Sequence, residues 1–140
     1  MKNTEQRPKT AKYQLRVGKS ITGKGLFALE SIPKGVRIIE YIGREIPPEM
    51  QYTSRSKYLF EITEKKWIDG NIPENIAKYV NHSCRPNCEV EIVKQHIYIY
   101  SKRKILPGEE LTYDYGKEYF DEILKPIGCK CVKCREKANV

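Results

Sequence analysis

Residues 79–88 read Tyr79-Val-Asn-His-Ser-Cys-Arg-Pro-Asn-Cys88, and no other ten residues of the chain crowd so many chemically capable side chains together. The apolar pair Tyr79 and Val80 leads into Asn81, His82, Ser83 and Cys84, after which Arg85-Pro86-Asn87 has the composition of a turn that ends any regular element. The stretch therefore reads as a buried lead-in that stops at a polar site. A single histidine is weak testimony for any site, so its meaning depends on what flanks it.

On the carboxyl side, Glu89-Val-Glu-Ile-Val93 and His96-Ile-Tyr-Ile-Tyr100 alternate across Lys94-Gln95, which predicts a hairpin whose aromatic face is expected in the core. Ile105-Leu-Pro-Gly108 reads as a turn, Glu109 to Tyr115 as a strand rich in carboxylates and phenols, and Tyr119 to Leu124 as a short helix. Glu109, Glu110 and Asp114 suit a solvated strand edge or an acidic rim that attracts a basic peptide. On the amino side, Asn71 to Asn75 is irregular, and Tyr58–Ile62 and Trp67–Asp69 are strands about a turn at Glu64-Lys65. Pro47-Pro-Glu-Met50 can open a short helix, and Val36–Ile42 is a strongly β-prone strand with Gly43–Ile46 as its continuation or partner. Tyr13–Val17 is a half-buried strand closed by Gly18. Thr22-Gly-Lys-Gly-Leu-Phe-Ala28 can make a tight turn or bring backbone close to a ligand, but it has neither the third glycine of a dinucleotide fingerprint nor the ending of a phosphate loop. Short strands between frequent turns, with few short helices, predict a mostly-β fold of several small sheets.

The 140 residues suit one hydrophobic core. No apolar run approaches the roughly 20 residues of a membrane span, and the polar start lacks a secretory stretch, so an intracellular protein without membrane contact is expected. A eukaryotic nucleus, a bacterial cytoplasm and a secreted bacterial effector all stay open on the sequence. Residues 1 to 24 hold seven Lys or Arg and one Glu, and so carry +6 of the formal +8. That places a flexible basic arm at residues 1–12, suited to non-specific contact with nucleic acid. Five cysteines in two short places argue for metal or reactive thiols rather than a disulfide framework. Cys129, Cys131 and Cys134 give three thiolates, while a structural zinc takes four ligands. The fourth must come from Cys84 or Cys88, with the tail folded back over residues 79–88.

Taken together, these motifs resemble the SET-domain protein lysine methyltransferases. Gly23-Lys-Gly-Leu-Phe-Ala28 is similar to the family's glycine motif, Ile39-Glu-Tyr-Ile-Gly43 to its following strand, and Val80 to Asn87 to its NHSCxPN motif. Gly108-Glu-Glu-Leu-Thr-Tyr-Asp-Tyr-Gly116 is similar to its ELTYDYG segment, and Cys129 to Cys134 to its post-SET zinc tail. The tail here is CxCxxC where the family usually has CxCxxxxC, and Lys78-Tyr79 stands where Arg-Phe is usual.

The resemblance implies a SET domain over residues 13–116 with a carboxyl-terminal pseudoknot, and a zinc-binding tail over 117–140. It implies transfer of a methyl group from S-adenosylmethionine to a lysine of a histone, a nucleoprotein or another basic protein. It assigns the cofactor to Lys24, Gly25, Leu26, Tyr58, Asn81 and His82. Tyr115 becomes the catalytic phenol, with Tyr113 and Tyr41 lining the lysine channel, together with Tyr119 or Phe120. Cys84, which follows the cofactor motif directly, joins Cys129, Cys131 and Cys134 around the zinc, with Cys88 spare. Tyr113, two before the catalytic tyrosine, implies mainly monomethylation. The competing expectations are a catalytically silent SET fold that binds peptide or cofactor, and a zinc-stapled nucleic-acid binder.

Overall fold

The computed structural model describes residues 10–21 and 23–115. The amino-terminal nine residues, the tail cysteines, the expected helix at Tyr119 to Leu124 and Gly116 lie outside the described residues. The described chain forms ten strands: β1 (Leu15–Ser20), β2 (Gly23–Ala28), β3 (Arg37–Tyr41), β4 (Arg44–Ile46), β5 (Leu59–Thr63), β6 (Lys66–Asp69), β7 (Asn81–His82), β8 (Cys88–Val93), β9 (His96–Ser101) and β10 (Thr112–Tyr113). They make four small sheets, ordered β1-β2, β3-β9-β8, β4-β6-β5 and β7-β10. Two 3-10 helices, Pro48–Tyr52 and Ile76–Tyr79, are the only helices among the described residues. Neither is long enough to cross a membrane.

The β8-β9 hairpin forms as the alternation predicts, with Lys94 and Gln95 at φ 50° and 67° in its two-residue turn. Its faces are reversed from expectation. Ile97 and Ile99 are fully buried, whereas Tyr98 and Tyr100 lie half-buried on the outer face, where the Arg37 guanidinium sits 3.6 Å from the Tyr98 ring centroid. Isoleucine offers as much apolar surface as tyrosine without a hydroxyl to satisfy, so the aliphatic set wins the interior. In β3 the register shifts between Arg37 and Ile39, and both Ile38 and Ile39 are fully buried, which strict alternation would not allow. Each such side chain contributes roughly 1.5–3 kcal/mol through burial. Thr10 to Lys12, at the end of the expected arm, run along β3 with Ala11 bridged to Ile39.

Gly43–Ile46 does not extend β3; β4 pairs instead with β6 in the β4-β6-β5 sheet. The helix expected after Pro47 is a single 3-10 stretch with proline in its first turn. Most of the expected strand from Glu109 to Tyr115 is not a ladder. Residues 105–115 are joined to several partners in succession: Ile105 to Ile32, Glu109 and Leu111 to Ala28 and Leu26 of β2, and Thr112-Tyr113 to β7. The β7-β10 pairing is parallel, so the chain segment around Asn81 and the one around Tyr113 lie side by side in the same direction.

Candidate active site

The site grows from that parallel pair. Thr112 stands opposite Asn81 and Tyr113 opposite His82, and the Tyr113 carbonyl accepts from the Ser83 amide at 3.1 Å. Asn87, only 3% exposed, locks the two segments together. Its Nδ2 donates to the Glu110 carbonyl at 2.8 Å and its Oδ1 accepts from the Thr112 amide at 2.9 Å. The turn that Arg85-Pro86-Asn87 predicts therefore has a second task, as a side-chain clamp between distant stretches.

Three phenols converge beside the clamp. The Tyr115 hydroxyl donates to the Val80 carbonyl at 2.5 Å, and its ring lies edge-on to His82 at 5.3 Å and tilted to Tyr113 at 4.9 Å. Tyr41 is 5% exposed and donates its hydroxyl to the Tyr58 carbonyl at 2.9 Å. Burial, and then the neighbouring Tyr115 phenol, raise the Tyr41 pKa above the ordinary phenol value, so it stays protonated across the neutral range. Gly70 makes room for it, since a Cβ there would fall on the Tyr41 ring and hydroxyl. Asn75 fixes the approach, accepting from the Ile42 amide at 3.1 Å and donating to the Gly70 carbonyl at 3.0 Å.

His82 has a side chain only 5% exposed, and its Nδ1 accepts from the Tyr115 amide at 3.0 Å. The hydrogen of the neutral ring then sits on Nε2, facing Cys84 Sγ at 3.3 Å. Burial lowers the His82 pKa, against an opposing pull from Asp114, so the neutral ring is favoured. Cys84 is half-buried; Cys88 is 1% exposed and its thiol is pushed up to about 12 by burial. A metal needs a thiolate that can reach it, which favours Cys84 over Cys88 as a ligand. Among the described residues no three His, Cys, Asp or Glu side chains gather as a metal site. The expected partners Cys129, Cys131 and Cys134 lie outside those residues.

Of the residues expected to meet a cofactor, Lys24 and Gly25 are gathered at Asn81. Its Nδ2 donates to the Lys24 carbonyl at 3.0 Å and to Glu110 Oε2 at 2.7 Å. Gly25 lies against the same carboxylate, while Leu26 is wholly buried and its carbonyl accepts from the Leu111 amide. Leu26 thus packs the floor beneath the site. The ammonium groups of Lys24 and Lys78 lie 5.5 and 5.2 Å from the Tyr79 ring centroid, and Lys78 also reaches Tyr58 at 5.7 Å. Lys78 is further held by Asn71 Oδ1 at 3.2 Å.

Sequence reasoning passed over Glu110, Ser20 and Asn87 as site residues. Of the three carboxylates expected at a solvated edge or an acidic rim, Asp114 is exposed and Glu109 pairs at the surface with Arg103 at 3.0 Å while taking the Leu106 amide at 2.6 Å, whereas Glu110 turns into the site and accepts from Ser20 and Asn81. Two adjacent glutamates on an exposed-looking strand give no signal of this.

The family model of the SET domain matches residues 23–116, a span that contains both halves of the β7-β10 pair and the three phenols. The chain belongs to the SET-domain family. It is 42% identical over 132 residues to the histone-lysine N-methyltransferase trr of Drosophila melanogaster, a match covering 85% of this chain and 5% of that protein. It is 43% identical over 138 residues to the H3 lysine-4 specific histone-lysine N-methyltransferase of Schizosaccharomyces pombe, covering 88% of this chain and 15% of that one. Among solved structures, a chain of the Chaetomium thermophilum polycomb repressive complex 2 superposes with a TM-score of 0.68 at 31% identity, over 75% of this chain and 15% of that chain. This SET domain therefore spans a small fraction of the proteins it resembles.

Proposed function

We propose that this SET domain methylates lysine side chains of a histone or another basic protein, using S-adenosylmethionine, and adds mainly one methyl group. The observation that carries this reading is the pair of phenols, Tyr41 and Tyr115, each of which has donated its hydrogen to a backbone carbonyl. A phenol oxygen committed in this way meets an incoming amine as an acceptor, and two of them can orient its lone pair. The names of the relatives, all histone-lysine methyltransferases, support the substrate class.

S-adenosylmethionine, when bound, supplies an electrophilic methyl group on a sulfonium. Asn81, His82 and the backbone at Lys24 and Gly25 would hold it, and the polar donors and acceptors around Asn81 fit its amino-acid arm. Tyr115 and Tyr41 position the lysine nitrogen. The apolar walls around them disfavour the charged amine, whose ordinary pKa is about 10.4, and so favour the neutral nucleophile. Among the described residues, Tyr41 is held protonated and His82 has its Nδ1 committed to the Tyr115 amide, so neither takes the proton. The amine must reach the site already deprotonated. Tyr113, beside Tyr115, narrows the space that a methylated nitrogen would need to turn and react again. Cys84 with Cys129, Cys131 and Cys134 would hold one zinc and fasten the tail beside the site.

Incubation with labelled S-adenosylmethionine and separate pools of histones, ribosomal proteins and cell extract, followed by mass spectrometry, tests the reading. Methyl-lysine should form, and Tyr115→Phe should slow its formation by about 10²-fold or more, the loss typical of a group acting on reacting atoms. No transfer to any pool, or an undiminished Tyr115→Phe variant, contradicts it.

A further inference from the structure

The amide of Asn81 has only one workable orientation. Its Nδ2 faces two acceptors, Glu110 Oε2 at 2.7 Å and the Lys24 carbonyl at 3.0 Å. Turning the amide over would set Oδ1 against a carboxylate and a carbonyl, exchanging two hydrogen bonds for two repulsions. Both Nδ2 hydrogens are thus committed. Among the described residues none donates to Oδ1. Glu110 is itself held rigidly: the Ser20 hydroxyl lies 3.0 Å from both its carboxylate oxygens, and its carbonyl accepts from Asn87. Only glycine at position 25 leaves space for it, because a Cβ there would fall on the carboxylate.

We propose that Glu110 is a positioning residue that locks the Asn81 amide with its oxygen outward, so that the site selects a ligand presenting an N–H donor at that point. The matching chemistry is an ammonium group, such as the one on the amino-acid arm of S-adenosylmethionine, and the inference rests on the cofactor reading above. Glu110 acts through Asn81 and does not touch the ligand. Its contribution is directional: any acceptor oxygen in its place keeps the amide oriented, whereas its negative charge is incidental.

Calorimetric titration with two probes tests this. S-adenosylhomocysteine carries the ammonium; 5′-deoxy-5′-methylthioadenosine lacks the amino-acid arm. Glu110→Ala should weaken the first about tenfold, the worth of one charge-assisted hydrogen bond, and leave the second within about twofold. Glu110→Gln, which retains an acceptor oxygen but no charge, should keep the affinity for S-adenosylhomocysteine within about threefold of the unmutated protein. In an Asn81→Ala background, Glu110→Ala should add no further loss. Ser20→Ala loosens Glu110 more gently and should give a smaller loss with the same preference between probes, which keeps the test open if Glu110→Ala does not fold. Equal losses for both probes, a Gln variant as weak as the Ala variant, or additive losses in the double variant overturn the proposal. If the unmutated protein binds neither probe, the cofactor reading itself falls.

Discussion

Asn87 offers the sharpest test of how the site is held. Replacing it with alanine removes the clamp and takes the Asn87 side chain away from two groups, the Glu110 carbonyl and the Thr112 amide. A stranded buried polar group costs about 1–3 kcal/mol. Since Asn87 is 3% exposed but its partners are only partly buried, water can recover some of the loss, and about 2–4 kcal/mol is expected in all. That is a large share of the roughly 5–15 kcal/mol that stabilises a typical domain, and corresponds to a fall in Tm on the order of 10–20 °C. Urea unfolding followed by circular dichroism measures it. Asn87→Asp separates the two halves of the clamp, because it still accepts from Thr112 but sets an oxygen against the Glu110 carbonyl. Its deficit should match or exceed that of alanine at pH 7 and shrink as the pH falls and the carboxyl is protonated, since repulsion raises its folded pKa. An Asn87→Ala protein within about 0.5 kcal/mol of the unmutated one, the scatter of a neutral surface change, would refute the clamp.

Tyr113→Phe should shift products towards di- and trimethyl-lysine, speeding the second transfer by about tenfold or less, as loss of one hydrogen-bonding group allows. A mass-spectrometric time course that leaves the product distribution unchanged would count against the role given to Tyr113. Metal analysis should find one zinc per chain, lost on Cys84→Ser and kept on Cys88→Ser; the opposite pattern would transfer the ligand role to the buried thiol. Glu109 has its pKa lowered, chiefly by the Arg103 hydrogen bond, so its stabilisation is present above the unfolded carboxyl value and lost as pH falls through the folded one. Glu109→Gln should therefore cost about 0.2–1 kcal/mol at pH 7, discounted for the exposure of Arg103, and nothing in strong acid. A deficit that persists unchanged in unfolding measurements at low pH would point to packing instead.

The parts of the fold carried by short-range pattern were legible in the chain. Two alternating runs separated by Lys94-Gln95 can hardly be anything but a hairpin, and Trp67–Asp69 follows Glu64-Lys65 for the same reason. Which face of β9 turns inward was not legible, because Ile97 and Ile99 alternate with Tyr98 and Tyr100 and both sets are apolar. The strand read over Glu109 to Tyr115 failed differently. Its residues find partners in β2, β7 and the Asn87 side chain, all far away in sequence, and no local pattern encodes those choices. That residues 79–88 end at a polar site was legible from the residues themselves, but the roles expected of Asn81 and of the phenols came only from resemblance to known motifs. Glu110 escaped even that, since a glutamate next to a glutamate looks like solvated surface until its neighbours are in place.

The joining of residues 105–115 to earlier elements has a consequence for synthesis. A ribosome delivers the glycine motif, the β4-β6-β5 sheet, Asn81 and His82 well before it delivers Thr112, Tyr113 and Tyr115, so a nascent chain halted ahead of Ile105 holds Asn81 and His82 without the strand that aligns them. Pairings of such long range form late and slowly in any case. The piece that closes the phenol cluster and fixes the His82 tautomer thus emerges after the other described parts of the site. A product truncated ahead of Ile105 should therefore lack the β7-β10 pair and the aligned phenols, however well its earlier sheets have folded.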